Sequence, residues 1–259
     1  MLKTILARLQ QGHRTMAYPD GPAPALSDRF QGRPAIATRA CPSACTACTD
    51  ACPTGAVTVA GQGDNHRVSL DMGRCLFCGA CARACEQGIL RFGPDHRLAC
   101  SDRLGLTVDS TAAACPTVRP DGIVRRLFGR SLKLRQVSAG GCNACEADCN
   151  VLTTLAWDLG RFGIDFVASP RHADGLLVTG PVTENMREAL IKTYDAVPSP
   201  KVVIAVGTCA IGGGLYADRP ETHNGVDGLI PVDLYIPGCP PHPLTILDGL
   251  LRLIGRLEG

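Results

Sequence analysis

The chain has 259 residues, enough for one large domain or two small ones, and its 45% hydrophobic content supports a real core. Only 4% of residues are aromatic, which argues against a base-stacking nucleic-acid binder, and a formal net charge of +2 selects no partner by itself. The charge is unevenly divided: residues 1–134 hold 17 Lys and Arg against 10 Asp and Glu, and residues 135–259 hold 9 against 14, marking two pieces with different surfaces. No apolar run reaches the length of a membrane span, and no secretory signal or twin-Arg pair opens the chain. The expected location is the cytoplasm, where thiols stay reduced and the 15 cysteines read as metal ligands rather than disulfides.

In chain order, residues 2–11 read as a short basic amphipathic helix, with Leu2, Ile5, Leu6 and Leu9 on one side and Lys3 and Arg8 flanking it. Packing on its own domain or a partner subunit is the plain reading; a membrane-surface anchor is the weaker one. Residues 17–39 are rich in proline and glycine and predict an extended arm, neither helix nor strand. Residues 56–60 and 67–70 alternate like a small hairpin, and residues 94–120 give no clear pattern. Residues 121–135 set Arg125, Arg126, Arg130, Lys133 and Arg135 beside Ile123, Val124, Leu127 and Phe128, a basic amphipathic linker that is either a solvated face or a docking surface. Beyond it, short buried strands are predicted at 132–138, 164–168, 176–179, 202–206 and 234–236, with helices at 144–160, 183–197 and 243–257. That alternation implies a parallel, doubly wound α/β sheet.

Twelve cysteines form three sets. Cys75, Cys78, Cys81 and Cys85 fit the bacterial-ferredoxin run C-x2-C-x2-C-x3-C without a gap. Cys41, Cys45, Cys48 and Cys52 repeat it with one extra residue in the first interval, which makes Cys41 the least secure ligand; Glu86 stands where the second run usually has proline. In such pairs the fourth cysteine of each run ligates the other cube. The expected sets are therefore Cys41, Cys45, Cys48 and Cys85 for a first [4Fe–4S] cluster, and Cys75, Cys78, Cys81 and Cys52 for a second. Zinc is the competing occupant, and two C-x2-C pairs alone would leave it open; two complete four-cysteine runs favour iron–sulfur.

The third set is Cys142, Cys145, Cys209 and Cys239. All four follow the carboxyl ends of predicted parallel strands, where doubly wound sheets build their sites. Glycines at 140, 141, 207 and 238 allow the backbone to approach a bulky cluster closely. By spacing alone, buried structural cysteines remain an alternative. Cys100, Cys115 and Cys149 are left over and read as buried free thiols, with Cys149 one helical turn beyond Cys145 and hence an alternative ligand. His172 reads as a loop or packing residue, and Gly212–Gly214 lack the Lys-Ser/Thr of a phosphate loop.

Residues 135–259 resemble the small-subunit family shared by [NiFe] hydrogenases and respiratory complex I. The motifs are Gly141-Cys-Asn-Ala-Cys-Glu146, Ser169-Pro-Arg-His-Ala-Asp174, Val178-Thr-Gly-Pro181, Gly207-Thr-Cys-Ala-Ile-Gly-Gly213 and Tyr235-Ile-Pro-Gly-Cys-Pro-Pro241. Residues 1–99 resemble the two-cluster ferredoxin-like subunit of the same complexes through Tyr18-Pro19, Arg29-Phe-Gln-Gly32 and Arg74-Cys-Leu-Phe-Cys-Gly-Ala-Cys81. The resemblance implies a fusion: an N-terminal helix and docking arm over 1–40, a small α+β ferredoxin-like domain over 41–118, and a flavodoxin-like α/β domain over 119–259. It implies that Cys142, Cys145, Cys209 and Cys239 hold a third [4Fe–4S] cluster nearest the large subunit, and it makes Glu146 a candidate for proton passage. A glutamate in the first turn of a helix is also favoured by the helix dipole alone.

Complex I small subunits typically carry two adjacent cysteines at the first position, whereas this chain has Cys142-x-x-Cys145. The resemblance is thus to the membrane-associated, formate-hydrogenlyase-like (group 4) hydrogenases. It implies an electron-transfer subunit relaying electrons through three cubes to a nickel-bearing large subunit that interconverts protons and H₂. The implied partners are that large subunit, membrane-arm subunits, and an electron donor or acceptor protein, with no nucleic acid. The implied place is the cytoplasmic face of the inner membrane, reached through partner subunits. A complex I-like quinone oxidoreductase, with a 49 kDa-type partner, is the alternative terminus; a zinc-stabilised scaffold without redox work is the alternative of another class.

Overall fold

The computed structural model describes residues 2–12, 14–41, 45–61, 66–110, 117–119 and 122–257. Cys115 lies outside the described residues.

Helix α1 spans Leu2–Gln11 as the spacing predicts, but it has no buried residue, so packing on its own domain does not occur. The arm that follows is strapped to the carboxy-terminal half. The Met16 amide donates to Ala156 O at 2.9 Å, and the Arg161 guanidinium donates to Met16 O at 2.8 Å and Tyr18 O at 2.5 Å. Further on, the arm is not purely extended coil as expected: Pro34–Ile36 (β1) pairs antiparallel with Leu90–Phe92 (β4). Proline tolerates this place because it is the first residue of a short edge strand. The arm therefore ties the two halves together.

The ferredoxin-like half holds two single-turn helices, α2 (Ala47–Asp50) and α3 (Ala80–Ala84). The predicted hairpin is present as Val57–Ala60 (β2) against Arg67–Asp71 (β3), with Val57, Val68 and Leu70 buried. The unassigned stretch 94–120 contributes a 3₁₀ turn at Leu104–Leu106 and a third strand, Thr107–Asp109 (β5), paired antiparallel to β3. That strand is three residues long, too short to show a period of two. Helix α4 (Gly122–Phe128) occupies the predicted linker, buries Phe128 and stops at Gly129; the basic stretch then runs into the first sheet strand.

The carboxy-terminal half is a five-stranded, all-parallel sheet of Leu132–Ser138 (β6), Ile164–Phe166 (β7), Gly175–Thr179 (β8), Val202–Val206 (β9) and Leu234–Ile236 (β10), in the order β10-β9-β8-β6-β7. Numbered from its own first strand this is 2-1-3-4-5, the flavodoxin-like order, whose switch point lies between β6 and β8. Strands β8 and β9 are buried at every position, as both-face coverage requires.

Two of the predicted helices, the first and the last, end earlier than expected, each for a local reason. Helix α5 spans Ala144–Val151 rather than reaching 160. The Thr153 and Thr154 hydroxyls donate back to Asn150 O and Val151 O, competing with the helical ladder, and a 3₁₀ turn at Leu159–Phe162 follows. Helices α6 (Glu184–Ala196) and α7 (Thr208–Gly212) precede α8 (Pro243–Leu253). Helix α8 stops before 257 because Gly255 takes φ +72°, and the Arg256 amide bonds Leu251 O at 2.8 Å.

Two apolar clusters hold the fold. One runs from Leu70, Met72 and Leu106 into Val137, Leu176, Val203 and Tyr235, joining the halves without a break. The other packs Leu244, Leu247, Leu250 and Leu251 of α8 on the opposite face of the sheet, against Leu134, Leu177 and Ile204. Each such leucine contributes about 1.5–3 kcal/mol by leaving water.

Candidate iron–sulfur sites

In the first two cysteine runs, Cys85 lies with Cys41, Cys45 and Cys48, and Cys52 lies near Cys75 and Cys81. The Cys41 thiol is raised above its ordinary range by burial and then by its neighbours Cys45, Cys48 and Cys85. Those four cysteines, with Val68, Ile89 and Leu90, line an apolar cavity of ≈ 280 Å³. That is several-fold the roughly 30 Å³ of one water, a volume suited to a bulky group rather than one ion. Cys75 is pushed up to about 12 by burial, with Cys81, Cys52 and Cys78 adding to it, and Cys81 to about 11 by burial and then Cys52. So Cys52 turns toward the second run and Cys85 toward the first. Cys48 and Cys81 sit on α2 and α3, and Gly79 takes φ +68° where the chain turns into α3.

Backbone amides point at the sulfurs. Ala56 N–H donates to Cys52 Sγ at 3.2 Å, Phe77 N–H to Cys75 Sγ at 3.3 Å and Ile89 N–H to Cys85 Sγ at 3.3 Å. Burial opposes it, yet the Thr54 and Ala56 amides hold the Cys52 thiol below its ordinary value. Donors aimed at thiolate sulfur are what iron–sulfur ligation uses to set potential. Elsewhere the cost of packing several thiolates together is left for a cationic metal core to offset. The donor set, the cavity and the amides fit [4Fe–4S] clusters.

The third set converges at the carboxyl edge of the sheet. Cys142 and Cys145 follow β6, Cys209 lies on α7 after β9, and Cys239 follows β10. Burial raises the Cys145 thiol far above its ordinary range, helped first by Cys209 and also by Cys149, Glu146 and Cys239. Burial lifts Cys209 to about 11, followed by Cys239, Cys142 and Glu146. Gly207 and Gly214 form a cradle: a Cβ at Gly207 would stand 2.5 Å from Cys145 Sγ, and one at Gly214 2.7 Å from Cys209 Sγ. Gly207 also takes φ +90°, ψ 154°, a region essentially reserved for glycine. Gly207→Ala is expected to displace Cys145 and abolish the third site, leaving iron at the ferredoxin-like pair, as metal analysis and low-temperature EPR would show.

Glu146 is 5% exposed. Its Oε1 accepts the Ser138 hydroxyl at 2.5 Å and the Thr179 hydroxyl at 2.6 Å. Ser138 and Thr179 face each other in the β6–β8 register, so the carboxylate sits at the switch point. The sequence reading missed both hydroxyls; their signal was a hydroxyl residue at the end of each of two predicted strands, close before a glycine.

Two of the leftover thiols, Cys100 and Cys149, are buried. Cys100 is buried, with its sulfur 3.5 Å from Thr117 O, and its backbone pairs with Tyr235 of β10 at 3.0 and 2.9 Å. Cys149 lies fully buried in the core cluster with Leu132 and Leu134, and burial, then Glu146 and Asp148, pushes it up to about 12. A thiol reacts as thiolate, so Cys149 is expected to resist iodoacetamide at pH 8 until the chain unfolds. The folded state keeps a proton that an unfolded thiol releases near 9, so stability falls as pH rises from about 9 to about 12. Cys149→Ala should flatten that slope in alkaline unfolding measurements.

The seam between the halves was not legible beforehand. Cys78 of the second run lies near enough to Cys239 to raise its thiol, after burial and Cys142, and the Thr208 hydroxyl donates to Cys75 O at 2.7 Å. His172, expected in a loop, lies in a 3₁₀ turn at Pro170–His172.

Residues 142–253 match the family model described as NADH ubiquinone oxidoreductase, 20 Kd subunit, and residues 39–89 match the 4Fe-4S dicluster domain. The "Probable membrane-bound hydrogenase subunit mbhJ" of Pyrococcus furiosus is 43% identical over 132 residues, covering 51% of this chain and 79% of that one. Formate hydrogenlyase subunit 7 of Escherichia coli is 43% identical over 129 residues, covering 50% of this chain and 51% of that one. NAD(P)H-quinone oxidoreductase subunit K of a Picosynechococcus species is 46% identical over 114 residues, covering 44% and 47%. The chain thus spans about half the length of the latter two relatives. With a parallel sheet in flavodoxin-like order and cysteines gathered at its carboxyl edge, a dicluster segment ahead of it, and a relative of which it covers 79% at 43% identity, this chain belongs to the NADH ubiquinone oxidoreductase 20 Kd subunit family.

Proposed function

We propose that this chain is the electron-transfer small subunit of a membrane-associated [NiFe]-hydrogenase complex of the formate-hydrogenlyase-like type. Its ferredoxin-like segment is fused ahead of it, in domains over 41–118 and 119–259 after an arm at 1–40. The proposed ligands are Cys41, Cys45, Cys48 and Cys85 for one [4Fe–4S] cluster, Cys75, Cys78, Cys81 and Cys52 for a second, and Cys142, Cys145, Cys209 and Cys239 for a third. When bound, the clusters supply one-electron redox centres. The residues of the chain hold them, exclude water with Val68, Ile89 and Leu90, and aim amides at the sulfurs.

The observation that carries the reading is the Thr208 hydroxyl, beside Cys209, donating to Cys75 O at 2.7 Å across the seam. It supports a third site lying beside the second, with redox centres from both halves adjoining. The spaced pair Cys142-x-x-Cys145 favours the hydrogenase type over a quinone-reducing terminus, and two relatives with hydrogenase or hydrogenlyase names support it. A cavity of ≈ 280 Å³ is more than a single zinc ion fills, which favours a cluster over a zinc scaffold.

In this reading the large subunit carries nickel and performs 2H⁺ + 2e⁻ ⇌ H₂. Glu146, held by Ser138 and Thr179, is the proposed proton-passing carboxylate on this side of the contact. Membrane-arm subunits and an electron donor or acceptor protein complete the assembly, and the place is the cytoplasmic face of the membrane. No helix among the described residues is long and apolar enough to cross a membrane, so attachment runs through partners. The test is the metal content of the anaerobically co-purified complex. About one nickel per twelve cluster irons supports a hydrogenase; iron without nickel moves the terminus to quinone, and zinc in place of iron defeats the relay.

A further inference from the structure

We propose that Thr208 is the positioning residue that locks the second and third sites in register across the seam between the two halves. The inference rests on the functional reading above, in that both sites hold clusters.

Thr208 is 1% exposed and stands between Gly207 and the proposed ligand Cys209. Its amide donates to Gly238 O at 2.8 Å. Its hydroxyl lies 2.7 Å from Cys75 O and 3.1 Å from Gly238 O. A hydroxyl has one proton to give. Gly238 O already has the amide, so that proton goes to Cys75 O. One side chain thus gathers three loops: that of Cys75 and Cys78, that of Cys209, and that of Gly238 and Cys239. The first belongs to the second site and the other two to the third.

Two other ties between the halves do not do this. The Cys100–Tyr235 backbone pair and the Gly73–Ile211 approach hold the bodies together away from any proposed ligand's own carbonyl. Among the described residues, only the Thr208 hydroxyl binds the main chain of a second-site ligand directly from the residue beside a third-site ligand. Magnetic and electronic coupling between two redox centres falls steeply with separation, so a loosened Cys75 loop shows as lost coupling even when both sites keep their iron. Valine matches threonine in shape but gives no proton, leaving Cys75 O buried without that donor.

The experiment uses the purified complex, fully reduced and observed by EPR, with iron measured alongside. In the native complex the second and third clusters show a mutual spin–spin splitting. Thr208→Val keeps the iron, loses that splitting, and raises hydrogen exchange at the amides of residues 76–79 by roughly tenfold or more. Thr208→Ser, which retains the donor, keeps splitting and protection. If Thr208→Val loads less iron, Thr208→Ala decides by the same readout, since it removes the hydroxyl without setting a methyl against the carbonyl. Unchanged splitting and exchange in the hydroxyl-less variant overturn the proposal, as does a native complex whose clusters do not interact. A native complex with no cluster signals removes the functional reading as well; intact native signals with an indifferent variant remove only the role of Thr208.

Discussion

Cys239→Ser lowers the iron content of the purified chain by about four atoms from about twelve and removes one reduced-cluster signal while two remain. Cys239 belongs to a loop after β10 whose neighbours at the site are Cys142, Cys145 and Cys209. The other eight proposed ligands come from residues 41–85, on α2, α3 and the loops around the β2–β3 hairpin. The two groups are built on different sheets, so the loss stays local. Strand β10 is buried at Leu234, Tyr235 and Ile236 and keeps the loop anchored, so the fold survives. Because Cys78 lies near Cys239, the surviving second-cluster signal should also narrow as its magnetic neighbour disappears. Full retention of twelve irons would remove Cys239 from the ligand set. The companion variant Cys85→Ser should instead empty the site of Cys41, Cys45 and Cys48, because the fourth cysteine of the second run faces the first.

Asp248→Ala is expected to destabilise the protein by about 3–5 kcal/mol, the usual result of removing one partner from a buried charged pair. Asp248 is 1% exposed on α8. Its Oδ1 accepts the Tyr18 hydroxyl at 2.8 Å, and its Oδ2 accepts Arg252 Nε at 2.9 Å. Tyr18 is part of the arm, so the carboxylate fastens the arm to the carboxy-terminal half. Burial, then the charge on Asp248, pushes the Tyr18 phenol far above its ordinary range, which keeps it a donor throughout the physiological range. Tyr18→Phe removes only the one hydrogen bond and should cost about 1 kcal/mol. A urea titration of the full chain ranks the two variants, and limited proteolysis between residues 17 and 31 reports the loosened arm. Equal midpoints for Asp248→Ala and the parent would show that the network does not hold the arm.

Periodicity carried the parallel sheet well. Strands β8 and β9 are continuous apolar runs, Leu176–Thr179 and Val202–Val206, and a run covered on both faces needs no partner to be recognised. The cysteine spacing suggested the crossover, and the structure sets Cys85 beside Cys41, Cys45 and Cys48. The short elements were hidden. Strand β5 is three residues long, and the pairing of Pro34–Ile36 with Leu90–Phe92 joins segments more than fifty residues apart, which no local window contains. Helix α5 was read too long because its apolar spacing continues past Val151, while the hydroxyls of Thr153 and Thr154 turn the backbone away.

By itself the sequence determined that a ferredoxin-like segment precedes a parallel α/β sheet, and that four cysteines follow strand ends. Ligand spacing and strand hydrophobicity are local properties, and a local pattern can be read from a string. Only the tertiary structure decided that Cys78 lies near Cys239, that Ser138 and Thr179 converge on one carboxylate oxygen, and that Thr208 reaches the Cys75 carbonyl. These contacts span from 8 to 161 residues of chain. They exist because packing one buried apolar cluster across both halves fixes where the loops at the sheet's carboxyl edge must lie.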